Sequence, residues 1–202
     1  MAQDDVTVGV VRRWRDGVLQ QVAAESYWHL SDTQAEILRR GNSPRDPNDP
    51  TKLPSQFIRL TSTQASDFIS RYNIAHHHAN DSSGFSATLL FDTQAQKYTL
   101  AFRSTEYKNP SEGGDFDRDG KSGAGGEIQG YGFAFGQLSA MEAYYAYLKS
   151  HVLPEGSKIN VSGYSLGGHL ALVFTELHAT EIEQTLVFNS AGRGSLELLP
   201  GR

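Results

Sequence analysis

A serine between two glycines is the feature of this sequence best suited to covalent chemistry. Ser165 lies in the pattern Gly163-x-Ser165-x-Gly167, after the β-prone run 158–162 and before a helix-forming run. A serine on a tight strand-to-helix turn has a strained backbone, so the positions two residues before and after it must be small. We therefore predict that Ser165 is a nucleophile and that the N–H of Leu166, at the helix start, is one oxyanion donor. The alternative is a chance pattern in a chain with 20 glycines.

A second polar cluster follows a predicted strand. The runs 85–91 and 97–102 are apolar and β-prone, and the turn-forming residues 92–96 between them predict a hairpin. The second run ends in Phe102-Arg103-Ser104-Thr105-Glu106. Polar residues at the carboxyl end of a central strand are typical of functional sites in α/β proteins. The alternative is an ordinary strand-to-loop exit.

The rest of the pattern predicts the elements that position these two segments. We expect two helices between about 16 and 40, a helix from Thr61 or Ser62 to about 72, and a long helix over 127–150. A helix over 166–178 and a strand over 184–189 follow. The proline-rich stretch 41–54 predicts a surface loop, and His76-His77-His78 predicts a loop rather than a metal site. Alternation of helices and strands from 127 onward predicts a parallel sheet within one α/β domain covering 1–202.

An acidic, glycine-rich stretch over 108–126 has no apolar periodicity. It contains Asp115, Asp117 and Asp119 at alternate positions before Gly120, a spacing that lets carboxylates converge on a calcium ion. The next acid, Glu127, lies one residue beyond the position where an EF-hand has its bidentate glutamate. A calcium loop and a solvated mobile loop therefore remain as alternatives.

Composition excludes several classes of protein. Hydrophobic residues make up 38% and charged residues 20%, which is typical of a globular protein. The net charge of −5 and the lack of a basic run argue against nucleic-acid binding, and Arg12, Arg13 and Arg15 predict a solvated helix face. The chain has no cysteine, which excludes disulfides and thiolate chemistry. Its first residues lack a signal-peptide pattern, and no transmembrane segment is predicted.

Four segments together resemble the bacterial side of the lipase class 3 group, which includes RTX-type secreted lipases of the α/β-hydrolase fold. The segments are 84–88, 100–106, 161–171 and 188–192, in the family's order. The resemblance implies that Ser165 is the acylated nucleophile of a lipase or phospholipase and that the N–H of Thr105 is the second oxyanion donor. Ser104 stands where the family usually has glycine. The resemblance also implies a lipid or ester substrate, and calcium bound near a lid formed by 108–126. It further implies secretion without a signal peptide, with a cytoplasmic location as the alternative.

The acid and base of a catalytic triad are missing from the expected positions. In this fold the order is Ser, then Asp or Glu, then His, on successive strand ends. No aspartate follows Ser165. The acidic and histidine residues that could assist it lie on or just after the helix that follows Ser165, which carries them away from the Ser165 hydroxyl. They are His169, Glu176, His178, Glu181 and Glu183. We therefore expect an N-terminal part of a hydrolase fold, incomplete at its C-terminus, with the acid and His supplied by further sequence or a second chain. The alternatives are a catalytically silent calcium-binding or interaction module, and a peptidase or acyltransferase on the same fold.

Overall fold

The structure, a computed structural model, describes residues 3–26, 28, 32–42, 59–105, 128 and 132–192. Within these ranges lie the helices α1 (Gln3–Glu25), α2 (Gln34–Arg40), α3 (Ser62–Arg71), α4 (Phe135–His151) and α5 (Leu166–Leu177). The strands are β1 (Tyr72–His78), β2 (Ala87–Asp92), β3 (Lys97–Phe102), β4 (Ile159–Tyr164) and β5 (Ile182–Phe188). None of the described helices is long and apolar enough to cross a lipid bilayer.

The described strands form one mixed sheet in the order β1-β2-β3-β4-β5. β1, β2 and β3 pair antiparallel, which confirms the predicted hairpin, whereas β3, β4 and β5 pair parallel. The parallel part has helix α5 as the crossover between β4 and β5, as helix–strand alternation predicted. An α/β-hydrolase-like sheet with helices on its faces is therefore confirmed, and the antiparallel pairs lie at its β1 side.

Helices cover both faces of the sheet, each over its own apolar core. Adjacent residues of a strand point to opposite faces, and Leu89 and Leu90 of β2 accordingly belong to different buried clusters. Leu89 packs in the cluster formed with α4 and α5, which includes Met141 and Phe174. Leu90 packs in the cluster formed with α1, α2 and α3. The sheet is thus the middle layer of three.

Local signals in the sequence explain where the short helices begin. Thr33 and Glu36 form a capping box at the start of α2, and Thr61 and Gln64 form one at the start of α3. In each box the threonine oxygen accepts from the backbone N–H three residues later, while the Glu or Gln side chain accepts from the threonine N–H. The prediction that a helix begins at Thr61 or Ser62 is confirmed.

A charged cluster joins α1 to the end of the β1–β2 pair at which Tyr72 is the partner of Asp92. The Arg71 guanidinium donates two hydrogen bonds from Nε and one from Nη2 to the Asp92 carboxylate, at 2.6–3.1 Å, and Nη1 donates to Asp16 at 2.7 Å. Arg71 ends α3, Asp92 ends β2 and Asp16 lies in α1. A planar guanidinium that bridges two carboxylates fixes the angle between these elements.

Three predicted boundaries are corrected by the structure. His76, His77 and His78 form the end of strand β1 rather than a loop, because their backbone pairs with β2 and each ring has a hydrogen-bond partner. Helix α1 begins at Gln3 rather than near 16, and its residues 10–15 are exposed, so the apolar residues among them form no part of the core that the helical pattern predicts. Helix α4 begins at Phe135 rather than at 127. Most of the predicted loops 41–54 and 108–126 lie outside the described residues.

Candidate functional site

Ser165 occupies an elbow, the sharp turn between β4 and α5, and α5 is the elbow helix. Its backbone has φ 52° and ψ −117°, a left-handed conformation that non-glycine residues rarely adopt. Its N–H donates to the carbonyl oxygen of Phe188 at 3.1 Å, and its own carbonyl oxygen accepts from the N–H groups of His169 and Ala191. The strained conformation is therefore held from both β5 and α5, which is the strand–turn–helix arrangement predicted for the pattern.

The two flanking glycines permit this turn. A Cβ on Gly163 would lie 2.0 Å from the carbonyl oxygen of Gly167, and a Cβ on Gly167 would lie 2.4 Å from the carbonyl oxygen of Phe102. Both contacts are with backbone, which cannot rotate away as a side chain would. The first turn of α5 is therefore pressed against the end of β4 and the exit of β3 at once.

The exit of β3 and the start of α5 lie at the same edge of the sheet. Phe102 is the partner of Gly163 in the parallel β3–β4 pair, so the residues up to Thr105 leave the sheet beside Ser165. Leu166 begins α5, and its side chain is buried against Ala134 and Ile128. The first N–H groups of a helix have no partner within the helix. Thr105, three residues after Phe102, and Leu166, directly after Ser165, were predicted from separate motifs, and both follow strands that end at this edge of the sheet.

Two polar residues of α1 hold the exit of β3, and sequence reasoning missed both. Nε2 of Gln21 donates to the carbonyl oxygen of Phe102 at 2.8 Å and to Oε1 of Glu25 at 2.9 Å. Oε1 of Glu25 also accepts from the N–H of Ser104 at 2.8 Å, and Oε2 accepts from the Ser104 hydroxyl at 2.6 Å. The signal in the sequence is an i, i+4 polar pair on the face of α1 that otherwise carries Val18, Val22 and Ala23.

Burial and hydrogen bonding act in opposite directions on Glu25. The residue is only 3% exposed. Loss of hydration raises the pKa of its carboxyl, while the Ser104 hydroxyl, the nearby Arg103 charge, the Ser104 amide and Gln21 oppose this rise. The net direction is upward. The carboxyl is therefore held in a dry environment by donors that all belong to α1 or to the exit of β3.

His169 connects the elbow helix to two further segments. Its ring is fully buried; Nδ1 donates to the carbonyl oxygen of Gly192 at 2.6 Å, and Nε2 accepts from the N–H of Ala134 at 3.2 Å. These two bonds require the neutral tautomer with the proton on Nδ1. Burial lowers its pKa, although the bond to Gly192 acts against this. Both ring nitrogens are occupied away from the Ser165 hydroxyl.

The other described histidines are also bound elsewhere. Nδ1 of His76 lies 2.9 Å from the Tyr144 hydroxyl, Nδ1 of His77 lies 2.9 Å from Oγ1 of Thr88, and Nε2 of His78 lies 3.2 Å from Asp81. His178 contacts Glu142, and His151 contacts the Tyr147 carbonyl. Among the described residues, therefore, no histidine is hydrogen-bonded to Ser165, and His29 lies outside them.

Two of the acidic candidates that follow Ser165 have partners at the other end of the sheet. Glu181 accepts from the Tyr145 hydroxyl at 2.6 Å, and Glu183 accepts from the Lys97 ammonium group at 2.5 Å. Glu181 directly precedes β5 and Glu183 lies at its start, whereas Ser165 follows the end of β4, and these strands are parallel. Their positions agree with the expectation that they do not assist Ser165.

An apolar recess opens beside the elbow, between α1 and the ends of β4 and β5. Its volume is about 270 Å³, and its lining consists of Val18, Gln21, Val22, Glu25, Tyr164 and Phe188. Tyr164 directly precedes Ser165, and the carbonyl oxygen of Phe188 accepts from the Ser165 N–H. A recess of this character next to a nucleophile can take the apolar part of a small substrate.

The predicted calcium ligands Asp115, Asp117 and Asp119 lie outside the described residues. In the part of the chain that the structure describes, no group of three or more His, Cys, Asp or Glu side chains is arranged to hold a metal ion.

Comparison with known proteins adds a distant structural neighbour. The crystal structure of Lip2 lipase from Yarrowia lipolytica matches with a TM-score of 0.43 and 13% sequence identity. The match covers 89% of this chain and 57% of the lipase chain. No protein-family model and no curated protein matches the sequence. The chain therefore spans little more than half the length of this neighbour.

Proposed function

We propose that the protein is a serine carboxylic-ester hydrolase, of lipase or phospholipase type, that acts through an acyl-enzyme on Ser165. The single observation that carries the proposal is the conformation of Ser165. A serine held at φ 52° between two glycines whose Cβ atoms would meet backbone is an arrangement with a structural cost. Strain of about 1–3 kcal/mol persists where the surrounding structure enforces it, and it concentrates at active sites.

The proposed reaction begins with attack of the Ser165 hydroxyl on the ester carbonyl. The hydroxyl proton passes to a histidine on a further segment or a second chain, and the N–H groups of Leu166 and Thr105 stabilise the negative oxygen of the tetrahedral intermediate. The alcohol then leaves with that proton, and water releases the acid by the same steps in reverse order. The position of Thr105 at the exit of β3, beside the elbow, supports its role.

The apolar recess beside Tyr164 supports an apolar acyl group as the part of the substrate nearest to Ser165. We propose that the recess takes the first carbons of the acyl chain. Val22→Trp would fill part of its volume of about 270 Å³. This change should raise KM for p-nitrophenyl octanoate more than for p-nitrophenyl acetate. Equal effects on the two esters would place the acyl chain elsewhere.

The resemblance to bacterial class 3 lipases is carried by the four motif segments alone, and we propose a distant relationship on that basis. Secretion by a route that needs no signal peptide and an acid–histidine pair on a further segment or chain belong to the same proposal. Calcium binding by Asp115, Asp117 and Asp119 is a part that can be tested separately. Calcium titration of the protein and of Asp117→Asn should differ if these carboxylates are ligands.

The catalytic proposal is tested by turnover of p-nitrophenyl butyrate with the full-length protein and every chain that copurifies with it. Ser165→Ala should lower kcat/KM by more than about 10³-fold, since a triad serine contributes at least that much. Ser139→Ala, at an exposed position of α4, is the control and should leave the rate unchanged. Equal rates for the wild type and Ser165→Ala would contradict the proposal.

A catalytically silent binding module is the second candidate. It is favoured by the observation that the described histidines all have partners other than Ser165. In that case neither the 202-residue chain alone nor the full-length protein with its copurifying chains should hydrolyse p-nitrophenyl butyrate. In the hydrolase proposal only the chain alone is slow, because the proposed base belongs to a further segment or a second chain.

A further inference from the structure

The carboxyl group of Glu25 is surrounded by donors from a single neighbouring segment and its own helix. Oε1 accepts from the Ser104 N–H at 2.8 Å and from Nε2 of Gln21 at 2.9 Å. Oε2 accepts from the Ser104 hydroxyl at 2.6 Å. One buried carboxyl group therefore holds Ser104 at two points, through its backbone and through its side chain.

These two bonds determine how the chain leaves β3. The N–H of Thr105 belongs to the peptide group that follows Ser104, so its direction depends on the Ser104 backbone angles. Two hydrogen bonds to one rigid carboxyl group fix the Ser104 backbone and its χ1 angle together. Gln21 adds a third constraint by donating to the carbonyl oxygen of Phe102 at 2.8 Å. The direction of the Thr105 N–H is thereby set by α1.

The network also gives Ser104 a role that glycine could not perform. Glycine at this position would retain the N–H bond to Oε1 of Glu25 but would lose the hydroxyl bond to Oε2. It would also widen the range of accessible backbone angles. A serine paired with a buried carboxyl group is thus an alternative means of fixing this turn.

We propose that Glu25 is a positioning residue for the Thr105 oxyanion donor and that it acts through Ser104. The inference rests on the proposed hydrolase function. An oxyanion donor works when it is aimed at the developing charge before the reaction, and a displacement of about 1 Å can reduce the rate about 100-fold. Glu25 also lines the recess proposed for the acyl chain, so loss of that contact would change KM, whereas loss of positioning lowers kcat.

Packing and positioning make different demands on a replacement for Glu25. Leucine is close to glutamate in size and suits a buried site, but it accepts no hydrogen bond. Glutamine offers Oε1 to the Ser104 N–H, and its NH₂ group can donate to a Ser104 hydroxyl that has rotated to accept. A packing role therefore predicts that leucine is tolerated, whereas a positioning role predicts that only glutamine is.

The test compares kcat and KM of Glu25→Leu, Glu25→Gln and Ser104→Ala in the full-length protein with its copurifying chains. We expect Glu25→Leu to lower kcat about 10- to 100-fold with KM changed less than about twofold, and Glu25→Gln to remain within about fivefold of the wild type. Glu25→Leu/Ser104→Ala should be no slower than Glu25→Leu, because both changes remove the same constraint. Glu181→Leu, at the opposite end of the sheet, is the matched control and should leave kcat unchanged.

Hydrogen exchange of the Ser104 amide provides a readout that needs no activity. Exchange should become faster in Glu25→Leu and remain slow in Glu25→Gln. If the wild type is inactive, the hydrolase function fails while this exchange still shows whether Glu25 holds Ser104. If the wild type is active and Glu25→Leu keeps its kcat and its slow exchange, the positioning role is wrong. If Glu25→Leu does not fold, Ser104→Ala decides, with unchanged kcat overturning the proposal.

Discussion

A Cβ on Gly167 would lie 2.4 Å from the carbonyl oxygen of Phe102, so the first turn of the elbow helix and the exit of β3 touch through backbone alone. Gly167→Ala should therefore force the two segments apart. We expect a loss of at least about 2 kcal/mol in the free energy of unfolding, because backbone must move to relieve the contact. Urea denaturation measures it. Gly136→Ala, where a Cβ would meet nothing within 4 Å, should be neutral or stabilising. Equal behaviour of the two variants would contradict the close contact.

Ser165→Gly tests whether the elbow stores strain. Glycine adopts φ 52° without the steric cost that serine incurs, so this variant should be more stable than the wild type by about 1 kcal/mol, after the greater flexibility of the unfolded chain is included. Thermal denaturation is the measurement. Ser139→Gly, at an exposed helical position, should instead lose about 0.5 kcal/mol. A loss of stability in both variants would show that Ser165 is unstrained.

His169→Leu should destabilise the protein by about 2–4 kcal/mol. The change leaves the buried N–H of Ala134 and the half-buried carbonyl oxygen of Gly192 without their partner, and an unpaired buried group costs about 1–3 kcal/mol. Chemical denaturation measures the loss, and the matched control is Leu170→Met, a nearly isosteric change at the next buried position. A His169→Leu protein as stable as the control would mean that the two bonds contribute nothing.

His77 should make the protein sensitive to acid. Burial, with smaller contributions from Arg103, His78 and His76, lowers the pKa of His77 from 6.5 to about 4. The unfolded chain therefore binds a proton more readily than the folded protein, so the stabilisation is complete above pH 6.5 and is lost as the pH falls through 4. The loss is at most about 3 kcal/mol, at about 1.4 kcal/mol per pKa unit.

The measurement is the free energy of unfolding of the wild type and of His77→Gln between pH 7 and pH 4. Glutamine can still bond to Oγ1 of Thr88, 2.9 Å from Nδ1 of His77, but does not titrate. The wild type should lose up to about 3 kcal/mol more than the variant over this range. Parallel curves would show that His77 does not couple folding to pH.

Those parts of the fold with strong local signals could be predicted from the sequence. The capping threonine Thr61, the β-prone runs that became β2 and β3, and the glycines around Ser165 each constrain the backbone locally, and the structure agrees with all of them. The histidines of β1 gave no such signal, because their burial depends on Tyr144 and Thr88, which are distant in sequence.

The geometry of the candidate site was predictable where a motif specifies the backbone and was missed where it depends on tertiary contact. Ser165 and Leu166 follow from the spacing of glycines, and Thr105 follows from the resemblance of its motif. Glu25 meets Ser104 across 79 residues of sequence. Nothing near Glu25 in the sequence predicts that partner, since only the packing of α1 over β3 creates the contact.

The most direct test of the account is covalent labelling of Ser165 by a fluorophosphonate in the full-length protein with its copurifying chains. Intact mass and peptide mapping should show one adduct per chain, on Ser165, and none in Ser165→Ala; Ser139→Ala should label like the wild type. The wild-type 202-residue chain alone should label far more slowly, because the proposed base belongs to a further segment or a second chain. Absence of an adduct from the wild-type protein, or an adduct that persists in Ser165→Ala, would contradict the claim that Ser165 is the nucleophile.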